Sequence, residues 1–190
     1  MDIDRRQFSG LMLASLFQQL GWSDVGELPA CPVGFHWARS DALEAFVACP
    51  EGWHQFEEIQ TGSQTAYFTR ENYASQEQFR TGFTVNVVRN MTEGSIGDWC
   101  HVIVNMCLED IVPLETFQDE NEAYYTYCVE KINPPRGYSS WDTRIRIVGV
   151  GNKQTKTLYL VQFEAPADSW DQDWEIGQQI YEMFEINQSV

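Results

Sequence analysis

Between Thr81 and Arg89, Phe83, Val85 and Val87 alternate with Thr84, Asn86 and Val88. A period of two marks a strand with one core face and one wetter face, and this is the clearest strand in the chain. Shorter runs predict strands over 43–48, stopped by Pro50 and Gly52, over 53–59, and over 65–70, with Thr61-Gly62-Ser63 as the turn between the last two. The period then changes. Trp99, Val102, Ile103 and Met106 recur at helical spacing after Ser95, which predicts a helix capped by that serine, running up to Pro113, with those four residues as its buried stripe.

Strand formers return over 122–131 and stop at Pro134-Pro135-Arg136-Gly137. The segments 143–150 and 157–164 flank Gly151-Asn152-Lys153 as a hairpin, in which Ile145 and Ile147 alternate with Arg144 and Arg146, one core face and one charged face. Asp168 or Ser169 caps a final helix. On it Trp170, Trp174, Gly177, Tyr181 and Phe184 recur at steps of four and three, a continuous face that must lie against sheet residues such as Val85, Ile145 or Phe163.

Strands, one helix, three strands and one helix, with hairpin-length connections among the later strands, predict an α+β fold with a mostly antiparallel sheet flanked by helices. The length of 190 residues fits one domain, placed at 41–190. Residues 1–40 precede it, and 21–40, with Gly21, Gly26, Pro29, Pro32 and Gly34, read as a linker.

At the N-terminus, Arg5-Arg6 before the apolar run from Leu11 to Phe17 resembles a twin-arginine export signal. The run is short, no A-x-A site follows, and Leu28-Pro29-Ala30-Cys31 only approximates a lipoprotein box. The alternative is an amphipathic helix docked on the domain. Export to a periplasm or thylakoid lumen and a cytoplasmic location both stay open. No other stretch approaches the roughly 20 apolar residues of a membrane span.

Composition narrows the class of partner. Twelve Lys and Arg against 28 Asp and Glu give a formal charge of −16, which repels phosphate backbones and makes nucleic acid a poor partner. Hydrophobic residues at 43% and seven Trp exclude a disordered chain. Five cysteines form no CxxC pair, so neither a zinc pattern nor a disulfide framework is expected; Cys100 and Cys107 read as small apolar residues.

Signs of catalysis are weak. Gly94-Ser95-Ile96-Gly97 reads as a turn with a helix cap, His36, His54 and His101 have no partner at ligand spacing, and neighbouring Cys100 and His101 on a helix point about 100° apart. No cofactor motif is present. Two acidic clusters, Asp168/Asp171/Asp173/Glu175 and Asp119/Glu120/Glu122, read as a first helical turn and a solvated turn rather than as cation sites. The candidate binding element is the loop 133–141, where Arg136, Tyr138 and Trp141 combine the side chains enriched at protein interfaces.

Three segments together resemble the PsbP-like family, an α-β-α sandwich named for an extrinsic photosystem II protein and shared with a nuclear-import factor that binds the GTPase Ran. They are Pro50-Glu51-Gly52-Trp53, Thr81-Gly82-Phe83-Thr84-Val85-Asn86-Val87, and Leu158 to Pro166 leading to Trp170, Asp173, Trp174 and Gly177. The resemblance spans roughly residues 43 to 187 and implies a binding or assembly protein without catalytic residues. It carries no partner-binding or metal-ligating residue over. Some members are exported by the twin-arginine route, which adds to the export reading of Arg5 and Arg6. The expectation is therefore a non-enzymatic factor that contacts a protein partner. Two alternatives stand beside it: a chaperone that shelters apolar client segments in a concave sheet face, and an unrecognised hydrolase.

Overall fold

The computed structural model describes residues 30–182 and 185–186, apart from 44, 61–62, 73–77, 90, 92–93 and 136–139. The elements are β1 (Phe35–Ser40), β2 (Ala45–Pro50), β3 (His54–Gln60), β4 (Ser63–Thr69), β5 (Gly82–Val88), α1 (Ile96–Met106), β6 (Glu115–Glu120), β7 (Tyr124–Asn133), β8 (Thr143–Asn152), β9 (Thr157–Pro166), α2 (Trp170–Glu182) and β10 (Glu185–Ile186). Seven strands make one sheet in the order β3-β4-β5-β9-β8-β7-β6, with every pairing antiparallel. A second sheet, β1-β2-β10, packs with α2 on one face of the first. Helix α1 covers part of the other face. This is the α+β sandwich expected from the element order.

Residues directly opposite in antiparallel strands share a face, so rows of side chains run across the sheet. On the α2 side one row reads Phe68, Phe83, Phe163, Arg146 and Glu130. The helix seats on it through Gly177, whose missing side chain brings the backbone against the Phe163 ring: a Cβ there would stand 2.9 Å from it. Trp170 and Trp174 stack parallel at 5.5 Å and meet Phe163 edge-on, and Tyr181 meets Phe83 at 5.5 Å. The predicted helix face thus lies on the sheet, against Phe163 and the cluster that includes Val85. Ile145 is not its neighbour; it projects to the opposite face, towards α1. Phe184 lies outside the described residues.

Three expectations change with long-range pairing. Residues 35–40, read as linker, form β1 and pair with β2 from Phe35–Pro50 to Ser40–Ala45. Residues 115–120 form an edge strand whose partner is β7, so Asp119 and Glu120 belong to a strand and only 121–123 turn. The charged face of the β8–β9 hairpin does not face water. Arg144 and Arg146 lie under α2, 4.8 Å from the Trp170 ring and 5.2 Å from the Trp174 ring, and both pair with buried Glu130.

Helix α1 is capped as predicted, the Ser95 hydroxyl accepting from the Asp98 N–H at 3.0 Å. The helix ends at Met106, short of Pro113, and of the predicted stripe Ile103 packs on the sheet clusters; the fully buried line is Ile96, Cys100 and Val104, while Val102 and Met106 are exposed. The cause is Gly149 and Gly151 on β8. Their missing side chains leave a trough in the sheet that admits the smaller line of the helix, with a Cβ on Gly151 only 2.4 Å from Ile96 and 3.0 Å from Cys100. Arg5, Arg6 and the apolar run after them lie outside the described residues. No helix among the described residues is long and apolar enough to cross a membrane.

Candidate partner-binding surface

Arg136 and Tyr138 lie outside the described residues, whereas Trp141 is placed. It stands just before β8, in the loop that leaves β7 at Asn133 and re-enters at Thr143, the closing pair of that ladder. The Ala167 N–H donates to the Asp142 carbonyl at 2.8 Å and ties the loop to the end of β9. Pro134 and Pro135 are exposed on its outgoing arm.

The strand order brings a second segment to this corner. Because β5 pairs with β9 and β9 with β8, the chain entering β5 reaches the loop that enters β8. Arg80 lies on that chain and is exposed, with its guanidinium 4.5 Å from the centroid of the Trp141 ring. Glu71 fixes its backbone, accepting from the Arg80 N–H at 3.0 Å, the Thr81 N–H at 3.1 Å and the Thr69 hydroxyl at 3.0 Å. An arginine lying on a tryptophan combines a charge, a flat donor edge and a large apolar area in one place. Sequence reasoning selected Trp141 and missed Arg80. Nothing local marks Arg80, since its contact follows only from the order β5-β9-β8.

Beneath this corner, Glu164 and Lys131 lie in one row on the α1 side of the sheet, on either side of Ile145. Burial pushes the Glu164 carboxyl up to about 7, Lys131 opposing that and Glu71 adding to it. The Lys131 ammonium donates to the Cys107 carbonyl at the end of α1.

The remaining chemical candidates are engaged elsewhere. Asp173 is buried, pairs with Arg70 at 2.6 Å and accepts from the Ser169 hydroxyl at 2.8 Å, while Asp168, Asp171 and Glu175 are exposed. Glu120 pairs with Lys153 at 2.6 Å, and Asn121 accepts from the N–H groups of Ala123 and Tyr124 as the turn residue. Among the described residues no three His, Cys, Asp or Glu gather as metal ligands. His101 bonds the Tyr125 hydroxyl, and its ring lies tilted at 4.0 Å from that of Tyr127. Cys100 lies beneath the helix, where burial pushes its thiol up to about 12, so it holds its proton at neutral pH. A chaperone cradle would need aliphatic side chains on the α1 side of the sheet. On the β4-β5-β9 part of that side Thr65, Tyr67, Thr84, Asn86 and Gln162 share the face with Val88, Leu158 and Leu160, and those three aliphatic residues belong to the clusters that pack with α1.

The fold defines an α-β-α sandwich of the PsbP and Mog1 type, and solved structures of both superpose on it. The Ran-binding protein Mog1p of Saccharomyces cerevisiae matches with a TM-score of 0.52 at 9% identity, over 82% of this chain and 96% of its own. Cyanobacterial PsbP (CyanoP) from Synechocystis matches with a TM-score of 0.52 at 13% identity, over 85% and 99%. A mutant of Mog1 gives a TM-score of 0.53 at 10% identity, over 82% and 97%. At these identities the likeness is one of fold. By sequence, no family model and no curated protein matches the chain.

Proposed function

We propose that this chain is a non-enzymatic binding or assembly factor and that it contacts a protein partner through the corner formed by Arg80, Trp141 and the 133–141 loop. The observation that carries this reading is the exposed guanidinium of Arg80 stacked on Trp141. Arg and Trp are among the residues most often found to dominate the energetics of protein interfaces, and here they meet on the chains that enter β5 and β8. The shared fold with a Ran-binding protein supports protein binding as the kind of activity; it does not carry Ran to this chain. The acidic balance argues against nucleic acid as the ligand. The test is quantitative affinity purification with full-length tagged protein, comparing wild type with Arg80→Ala, Trp141→Ala and the remote surface change Ile59→Ser. Loss of the same co-purifying protein in the first two variants, with Ile59→Ser unchanged, supports the reading. Equal recovery in all four overturns it.

A further inference from the structure

The outer side of α1 and the chain that follows it differ from the rest of the surface. Of the six large hydrophobic residues exposed among those described, four fall here, so the apolar surface is gathered rather than scattered: Val102 (48% exposed), Met106 (73%), Val112 (83%) and Leu114 (58%). Val102 and Met106 are one helical turn apart on the same side. Val112 and Leu114 lie on the chain that leaves the helix, which is tied back to the same part of the sheet: the Leu114 N–H donates to the Glu130 carbonyl at 2.7 Å and the neighbouring Lys131 ammonium bonds the Cys107 carbonyl at the helix end.

The exposed charged side chains around this apolar surface are acids. Asp98, Glu109, Asp110 and Glu115 are exposed, and no Lys or Arg occurs between Arg89 and Lys131. Lys131 itself is 3% exposed, turned into the helix end. Glu109 and Asp110 follow the C-terminal end of α1 with φ of 51° and 66°. That backbone favours glycine or asparagine, and the negative end of a helix dipole favours a cation, so two acids there lower local stability on both counts.

We infer that this surface docks a basic amphipathic segment of a protein partner, with aliphatic side chains on Val102, Met106, Val112 and Leu114 and Lys or Arg side chains facing the acids around them. A second copy of this chain, at −16, meets repulsion there, as does any phosphate-rich surface. The surface is separate from the Arg80–Trp141 corner, so either can fail without the other.

The probe is a fluorescent synthetic peptide with leucine on one helical face and lysine on the other, titrated with the full chain and read by anisotropy. Val102→Ser/Met106→Ser, and separately Glu109→Asn/Asp110→Asn, each weaken binding about tenfold or more. The asparagines keep the backbone conformation accessible, so loss of folding does not explain the second result. Asp171→Lys/Glu175→Lys on α2, which changes the net charge by more, and Trp141→Ala both leave binding within about twofold. Equal loss in the α2 variant assigns the binding to the general acidic field and overturns the proposal, as does unchanged binding in the α1 variants. Self-association in sedimentation that Met106→Ser abolishes assigns the surface to a second copy and likewise overturns it.

Discussion

Alanine at Gly151 places a methyl group where α1 rests on the sheet. Its Cβ would lie 2.4 Å from Ile96 Cγ1, 3.0 Å from Cys100 Sγ and 3.3 Å from Ile96 Cγ2. Two of these atoms belong to one side chain, so the structure must either turn Ile96 or lift the helix. Neighbouring Gly149 leaves no slack, since Val104 already stands 2.9 Å from the position of its absent Cβ. Inserting a methyl group into such a packed contact costs about 1–3 kcal/mol. Ile96→Ala alone costs about 2–5 kcal/mol by opening a cavity. In the double variant the new methyl group enters that cavity, so the two losses fall short of their sum by more than about 0.5 kcal/mol. Urea unfolding followed by circular dichroism on the four proteins closes the cycle. Strict additivity, or a neutral Gly151→Ala, refutes the account of why α1 turns Cys100 and Val104 inward and leaves Val102 and Met106 exposed.

Other parts of the molecule give sharp expectations. Trp170 is 3% exposed, so Trp170→Ala costs about 3–5 kcal/mol, and half-buried Trp174→Ala costs about half as much, both read as denaturant midpoints. Glu130→Ala leaves Arg144 and Arg146 without their shared carboxylate beneath α2 and destabilises by about 3–5 kcal/mol, whereas Glu130→Gln, which keeps the shape and some hydrogen bonding, costs less. Glu164 makes stability depend on pH. Its folded value is raised from 4.5 to about 7, so the folded state holds the proton more tightly than the unfolded chain. Its contribution is full below about pH 4.5, is lost as pH rises to about 7 and is flat above, a change on the order of 2 kcal/mol once its partial exposure is allowed for. Glu164→Gln removes that slope, which melting temperatures measured across the window would show.

What could be read along the chain was what local periodicity controls. The alternation at Phe83, Val85 and Val87 and the four-three spacing from Trp170 to Tyr181 each mark an element and its buried face, and the β8–β9 hairpin was marked too, though its turn falls at 153–156 and Gly151 and Asn152 belong to β8. The failures share one cause, a partner far away in sequence. Strand β6 has Phe117 as its one aromatic residue on the core side and otherwise reads as polar chain. Strand β1 looks like linker until β2 pairs with it. The α1 stripe is rotated by two glycines on β8 that no helical periodicity can register. Arg144 and Arg146 look solvated until tryptophans from α2 lie on them. At the candidate surface, Trp141 stood out as an aromatic in a proline-rich loop, while Arg80 reaches it only through the sheet order.

The claim that the Arg80–Trp141 corner is the contact surface is tested most directly by putting a photo-cross-linking amino acid at position 141 of the full-length protein. Irradiation in cells that express it would be followed by mass spectrometry of the adducts, with position 59 on the β3 edge as the comparison site. The account predicts one discrete protein adduct at position 141, absent at position 59 and reduced when Arg80→Ala is added. Adducts equally abundant at both positions, or none at 141 while the α1 surface remains active in peptide binding, would contradict it.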